Sequence, residues 1–304
     1  MEGSQHRPVL LPEVLEYLRC QPGRVYVDGT VGSGGHAREI LERISPTGRL
    51  IGLDWDEQAI IRAQKNLASF GKNVELKRGN FQELSSVLES LRIPAVDGIL
   101  LDLGVSTEQL EDRERGFSFR WDGPLDMRMS RETKITAQDL LQKLSISEMS
   151  EILWQYGEER WANRIAKAIV RRRQTQPFRR TGELARVIEK CLPFRRGRIH
   201  PATRTFQALR ITVNDELGNL RTFLAQCQNL LLPGGRLGII SFHSLEDRIV
   251  KSQFREWAKR QRDEPADFRI LTTKPIVPSS EEVFSNPKAR SAKLRVAEKL
   301  SENR

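Results

Sequence analysis

The stretch Val25-Tyr26-Val27-Asp28, followed at once by Gly29-Thr30-Val31-Gly32-Ser33-Gly34-Gly35-His36, restricts the chain to a narrow set of folds. A short run of strand formers closes on an acid, and four glycines follow within residues 29–35. Residues 37–44 then carry Ile40, Leu41 and Ile44 on one helical face. This is a buried strand turning sharply into a helix. The alternation continues. Residues 50–54 (LIGLD) read as a second strand, and 57–67 as a second helix with Ile60, Ile61, Ala63 and Leu67 inward. Residues 74–76 read as a third strand and 96–103 (VDGILLDL) as a fourth. Strands alternating with helices need right-handed crossovers and a parallel sheet covered on both faces. The expected class is α/β with a Rossmann-like sheet.

Past residue 105 the pattern changes. Residues 107–131 are loop-like, rich in charge, glycine and aromatics (GFSFRWDGPLDMRMS), and 137–191 are helical, with Leu140, Leu141, Leu144, Ile152, Leu153, Ile165 and Ile169 periodic. No strand pattern interrupts them, so 107–204 is expected to be an inserted all-helical unit that recognises substrate. Residues 1–106 and 205–304 are expected to form the α/β domain. There a helix runs from Thr205 to about residue 232 and stops at Pro233-Gly234-Gly235. A fifth strand covers 236–242 (RLGIISF), a helix covers 245–262, and 268–274 with 291–296 form an antiparallel pair at the sheet edge.

The length of 304 residues and 38% hydrophobic content suit one core with a smaller second unit. The net charge of +10 favours polyanionic partners, nucleic acid ahead of anionic membrane. The bias concentrates in Arg171-Arg172-Arg173, Arg179-Arg180, Arg195-Arg196 and Arg198, where Glu183 and Glu189 are the main acids; Lys288 and Arg290 extend it. Such a track neutralises phosphates, unless it is simply a solvated helix face. Cys20, Cys191 and Cys227 suggest neither disulfide framework nor zinc site, which fits a reducing cytoplasm. His6, His36, His200 and His243 are scattered and give no metal signature. Residues 9–11 are cut by Pro12, Glu13 and Glu16, which argues against a signal peptide, and no apolar run of about 18 residues is present to span a membrane.

The glycine-rich turn is the candidate ligand site. Gly32-x-Gly34-x-x-Ala37 matches the permissive dinucleotide fingerprint. Asp54, ending the second strand, can accept both hydroxyls of an adenosine ribose, which suits a nicotinamide dinucleotide and S-adenosylmethionine alike. Asp28 ends the first strand, where it would repel a pyrophosphate but meet a cationic amino-acid moiety. Asp102 ends the fourth. Acids at three strand ends favour a ligand carrying a cation, and a sulfonium cofactor is one; helix caps or loop ion pairs are the plainer roles for Asp54 and Asp102.

Eight segments resemble one family across nearly the whole chain: HRPVLLPEVL at 6–15, VDGTVGSGGH at 27–36, DGILLDLGVS at 97–106, ERGFSFRWDGPLDMRM at 114–129, YGEERWANRIAKAIV at 156–170, HPATRTFQALRI at 200–211, GGRLGIISFHSLEDRIVK at 234–251 and NPKARSAKLRVAEK at 286–299. They are similar to the bacterial RsmH (MraW) family of small-subunit ribosomal RNA cytosine-N4 methyltransferases. The resemblance implies a class I methyltransferase fold with a helical insertion. It implies methylation of one cytidine in the decoding region of 16S rRNA, on the small ribosomal subunit. By motif it assigns cofactor contacts to Gly34, Gly35, His36, Asp54, Phe81, Asp102 and Gln109, beside the Asp28 and Gly32 already singled out.

The cytosine amine is a weak nucleophile, so the enzyme must orient its lone pair and accept its protons; Asp102 or the carbonyls of Leu103 and Gly104 are the candidates. No strong base is needed afterwards. Many amino-methyltransferases place an Asp/Asn/Ser-Pro-Pro-aromatic run here, whereas this chain reads Asp102-Leu103-Gly104-Val105. The base must then be held elsewhere, and Phe117, Phe119 and Trp121 either stack on it or pack the insertion. Asp126, Arg128, His243, Ser244 and Arg290 complete the substrate-side candidates. His243, Ser244 and Asp247 are too close in sequence for a hydrolase triad. Other readings stay open at this point: an NAD-dependent oxidoreductase, or a non-catalytic RNA-binding assembly factor on a methyltransferase fold. A homodimer through the insertion is compatible with the sequence.

Overall fold

The computed structural model describes residues 8–192, 200–259 and 266–301. It divides into two compact units, one made of the chain up to Gly104 and from Leu217 onward, the other of Val105–Glu216. His6, Arg195, Arg196 and Arg198 lie outside the described residues.

The first unit opens with α1 (Leu11–Leu18), β1 (Val25–Asp28), α2 (Gly35–Ile44), β2 (Arg49–Asp54), α3 (Glu57–Leu67), β3 (Val74–Arg78), α4 (Leu84–Ser90) and β4 (Val96–Asp102). β1, β2 and β4 bury nearly every residue, as parallel strands covered on both faces must. On α2, Ile40, Leu41 and Ile44 are fully buried as their spacing requires. On α3 the stripe is Ala59, Ile60, Ala63 and Leu67, and Ile61 is 50% exposed rather than inward. One residue is about 100° of helical turn, which carries Ile61 off the buried face.

The second unit contains α5 (Thr107–Glu111), α6 (Ala137–Lys143), α7 (Ile146–Gln155), α8 (Ala162–Thr175), α9 (Thr181–Cys191) and α10 (Thr203–Asn214). Capping boxes start α5, α6 and α7 at Ser106, Thr136 and Ser145. The core packs Leu140, Leu153, Ile165, Ile169, Phe178, Ile188 and Leu209 together. α10 belongs to this unit because Phe206, Ala208, Leu209 and Val213 are buried in that core, so the division falls at Glu216 and not at 204. Buried Asn214 fixes the loop before α6: its Oδ1 accepts from Met129 N (2.7 Å), and its Nδ2 donates to the carbonyls of Met127 (2.8 Å) and Arg210 (2.9 Å).

The chain returns through α11 (Glu216–Gln226), β5 (Leu231–Ser241), α12 (Ser244–Trp257), β6 (Phe268–Ile270), α13 (Ser280–Ser285) and β7 (Lys293–Lys299). The expected helix from Thr205 to about 232 is thus broken: Asp215 turns left-handed at φ 46° and ends α10. Pro233-Gly234-Gly235 proves not to be a helix stop. It lies within β5, where Val96 pairs with Leu231 but Gly98 with Arg236, so the turn residues loop out of the ladder as a bulge. The helix expected over 245–262 ends at Trp257, and 260–262 lie outside the described residues. The expected antiparallel pair lies at the sheet edge: β6 is the outermost strand, and β7 pairs antiparallel with it on one side and with β5 on the other.

The sheet order is β3-β2-β1-β4-β5-β7-β6, with β7 alone reversed. α1, α2 and α3 cover one face through Leu15, Ile40, Leu41 and Ile60. Leu84, Phe223, Phe254 and Trp257 cover the other. The fold is that of a class I methyltransferase, as the resemblance implies. Asn214→Asp keeps the acceptor but removes both donated bonds, leaving the buried carbonyl of Met127 and the part-buried carbonyl of Arg210 short of a partner. It should lower stability by about 2–4 kcal/mol, read as a drop in the urea midpoint of the helical unit.

Candidate active site

β1, β2 and β4 all end on aspartates at the carboxyl edge of the sheet, where ligands of parallel α/β sheets bind. Register sets their heights. Asp28 is level with Gly52 and Leu100, so Asp54 and Asp102 stand two residues further out, one on each side. The turn after β1 is tied to both neighbours. Gly29 N donates to Leu100 O (2.9 Å), Val31 N to Leu53 O (2.7 Å), and Asp102 N to Thr30 Oγ1 (2.6 Å). Gly32 N donates to Asp54 Oδ2 (2.9 Å), while Asp54 Oδ1 accepts from Asp56 N (2.8 Å). A side chain at Gly29 would put its β-carbon 2.4 Å from Leu101 Cδ2 and 3.2 Å from Phe81 Cβ, so it would enter this crossing only by displacing the buried Leu101. Gly34, at φ 92°, is the N-cap of α2, which has no side-chain cap, and Gly35 begins the helix.

His36 is buried in the first turn of α2. Its Nε2 sits 3.0 Å from Val9 O and must be the donor, which leaves Nδ1 facing Asp102 Oδ2 at 3.7 Å. Asp102 Oδ1 is shut off from solvent and has no hydrogen-bond partner among the described residues. Burial pushes the Asp102 carboxyl up to about 8, with Asp28 and Glu246 adding repulsion. Burial likewise pushes Asp28 up to about 7, against a hydrogen bond from Thr30 and with added repulsion from Asp54. Asp54 rises to about 6, because burial outweighs the amides of Asp56 and Gly32.

Two further groups from this unit adjoin the acids. Phe81 follows β3, its Cβ against Gly29 and its ring edge-on to Phe223 at 5.8 Å. His243 caps α12, with Nδ1 accepting from Glu246 N (3.4 Å) and Nε2 enclosed without a hydrogen bond. Glu246 Oε2 accepts from Phe242 N (2.8 Å) and His243 N (3.2 Å). Ser244 is the exposed first residue of α12, and Arg290 is exposed on the turn before β7. Thr30 and Glu246 were not singled out from sequence. Thr30 sits inside the singled-out turn, and Glu246 stands three residues after its cap, the spacing of a capping box.

The remaining candidates lie in the helical unit, mostly engaged with one another. Gln109 is buried on α5, its Oε1 accepting from Ser106 N (3.0 Å). Asp126 takes three bonds from Arg128, one from its amide (3.0 Å) and two from its guanidinium (2.7 and 2.8 Å), and Arg128 also donates to the carbonyls of Arg131 and Thr133. Phe117 is buried. Phe119 stacks on His200 at 4.3 Å and meets Phe206 edge-on at 5.0 Å. Of the three aromatics only Trp121 is well exposed, at 44%, with the Arg113 guanidinium 4.6 Å from its ring centroid.

Residues 3–300 match the model of the MraW methylase family. The chain belongs to this family. Proteins named ribosomal RNA small subunit methyltransferase H from Heliobacterium modesticaldum and Geobacter sulfurreducens are 52% and 53% identical to it over 309 residues, covering 97% of this chain and 98% and 99% of theirs. A solved putative rRNA-methylase from Clostridium thermocellum aligns with a TM-score of 0.47 and 12% identity, covering 97% of this chain and 98% of its own.

S-adenosylmethionine is the cofactor of this MraW-family methylase, and the residues present fit it. An unpartnered, enclosed carboxylate oxygen on Asp102 and two more raised acids form a cluster that a cation stabilises. Without the cofactor these carboxyls hold protons that the unfolded chain sheds above about pH 4. Native protein then binds more protons than unfolded protein, so the stability of the free enzyme should fall as pH climbs from about 4 through about 8. Asp102→Asn should flatten that decline in melting temperature; an unchanged slope would mean that Asp102 is already ionised.

Proposed function

We propose that this methylase transfers the methyl group of S-adenosylmethionine to the N4 amine of a cytidine in the decoding region of 16S rRNA, on the small ribosomal subunit. Two things support the reading: the family with its named relatives, and the enclosed, unpartnered Oδ1 of Asp102. That oxygen is the observation that carries it, because an acceptor at the carboxyl edge of β4 is what an amine nucleophile needs.

The cofactor, when bound, supplies an electrophilic methyl on a sulfonium. The chain supplies everything else. Asp54 keeps a spare lone pair on each oxygen for the ribose hydroxyls while Gly32 N and Asp56 N hold it in place. Asp28, Gly34, Gly35 and His36 line the turn in which the amino-acid end would lie, and Phe81 would flank the adenine. Gln109 joins the cofactor side as a proposal from family motif alone. Asp102 Oδ1 accepts a hydrogen bond from one N4 proton, which aims the nitrogen lone pair at the methyl. Transfer of that methyl to N4 would leave the C–S bonding pair with the cofactor's sulfur. The methylated nitrogen then gives its proton to Asp102 or water. His243, Ser244, Trp121, Asp126, Arg128 and Arg290 are proposed on the RNA side, where the exposed Trp121 ring is the better stacking surface than the engaged Phe119.

Enzyme incubated with labelled S-adenosylmethionine and unmethylated small subunits should yield labelled N4-methylcytidine on nucleoside mass spectrometry. Asp102→Asn should lower kcat by about 10²-fold or more. Label in no nucleoside, despite demonstrated cofactor binding, would remove the cytosine assignment.

A further inference from the structure

The basic bias of the helical unit divides sharply once side chains are placed. Arg160, Arg164, Lys167 and Arg171 follow one another at intervals of four, three and four residues, which is one face of α8 and its lead-in, and all four are exposed. The opposite face, Ala162, Ile165, Ala166 and Ile169, is buried in the core. None of the four cations makes a salt bridge among the described residues. The arginines next to them are committed elsewhere. Arg172 donates to Gln176 Oε1 (2.6 Å) and lies 5.5 Å over Phe178; Arg173 donates to Leu141 O (2.6 Å); Arg180 pairs with Asp122 (2.7 Å). Trp161 sits between the first two stripe members, with Arg164 5.9 Å from its ring centroid. Arg160, Trp161, Asn163, Arg164 and Lys167 together line a shallow open depression.

We infer that this face of α8 is a docking surface for an RNA sugar-phosphate backbone, distinct from the residues that hold the reacting base; the inference rests on the proposed RNA substrate. At 1.5 Å rise per residue Arg164, Lys167 and Arg171 span about 10 Å of α8 with one cation every ~5 Å, and Arg160 precedes them in the turn before the helix. A row of unneutralised charges at regular spacing on a rigid helix suits a chain of regularly spaced phosphates. Arginine forks bind phosphate oxygens two at a time, and three of the four positions are arginine. The half-buried Trp161 offers a flat apolar surface beside them for a ribose or base edge. An acidic peptide carries its charges on flexible side chains without a fixed repeat, and so matches this surface less well.

The test compares full-length enzyme with a variant carrying Arg160→Gln, Arg164→Gln, Lys167→Gln and Arg171→Gln. A second variant loses the same charge elsewhere, through Lys65→Gln, Lys72→Gln, Lys251→Gln and Arg255→Gln, all exposed. Binding to a short labelled RNA duplex is measured across a salt series, with polyglutamate as a second probe. Removing four phosphate contacts should flatten the slope of log affinity against log salt by about 3.6. The control variant should keep the wild-type slope. KM for small subunits should rise at least tenfold with kcat held, and the melting shift with S-adenosylhomocysteine should stay the same, showing an intact fold. An unchanged RNA slope, an equal loss in the control, or a loss confined to polyglutamate would each overturn the docking surface. If wild-type enzyme makes N4-methylcytidine while the stripe variant keeps its slope, only the stripe fails. If the stripe governs RNA binding but no cytidine is methylated, only the functional reading fails.

Discussion

Asp28, Asp54 and Asp102 crowd together at the ends of three neighbouring parallel strands because a tight glycine turn welds those strand ends into one piece. The turn takes a hydrogen bond at Thr30 Oγ1 from Asp102 N, and gives one from Gly32 N to Asp54 Oδ2. Three acids held together against one another and away from water are costly to ionise, and all three are displaced upward from ordinary carboxylate behaviour. A site of that kind is unfinished without a positive charge. The sheet order, the crossing at Gly29 and the helix start at Gly34 all serve to hold the acids in this arrangement.

The helical unit rests on a different kind of polar framework. Buried Arg115 donates to the carbonyls of Arg128 and Met129, Asn214 clamps Met127 and Met129, and Arg128 is closed upon Asp126. Much of the unit's arginine content is thus consumed in holding a long loop together. The charge left over for a polyanion is the part that fixed contacts do not use, and the exposed cations of α8 are among it.

The α/β class, the turn, and the acids at strand ends were legible in the chain because each rests on local pattern: apolar runs of strand length, glycine where a strand meets a helix, aspartate at the last position. α3 was located to the residue by its periodicity, yet Ile61 was misplaced because a hydrophobic residue beside the stripe looks like one within it. Pro233-Gly234-Gly235 reads identically as a helix stop or as a strand bulge, and only its pairing with β4 decides between them. The bond between Thr30 and the Asp102 amide depends on strand register across a long stretch of chain, which no local pattern carries. The arginine clusters misled in the same way: sequence gives their number, but only packing shows that Arg172, Arg173 and Arg180 are already engaged.

The central claim is that this acid cluster is completed by a cationic cofactor. Titration calorimetry of S-adenosylmethionine binding near pH 7, in buffers of different ionisation enthalpy, reads it directly. If Asp28 and Asp102 are part-protonated in the free enzyme, binding must release protons, and Asp102→Asn must reduce that release. Binding with no proton release in any buffer would contradict the account.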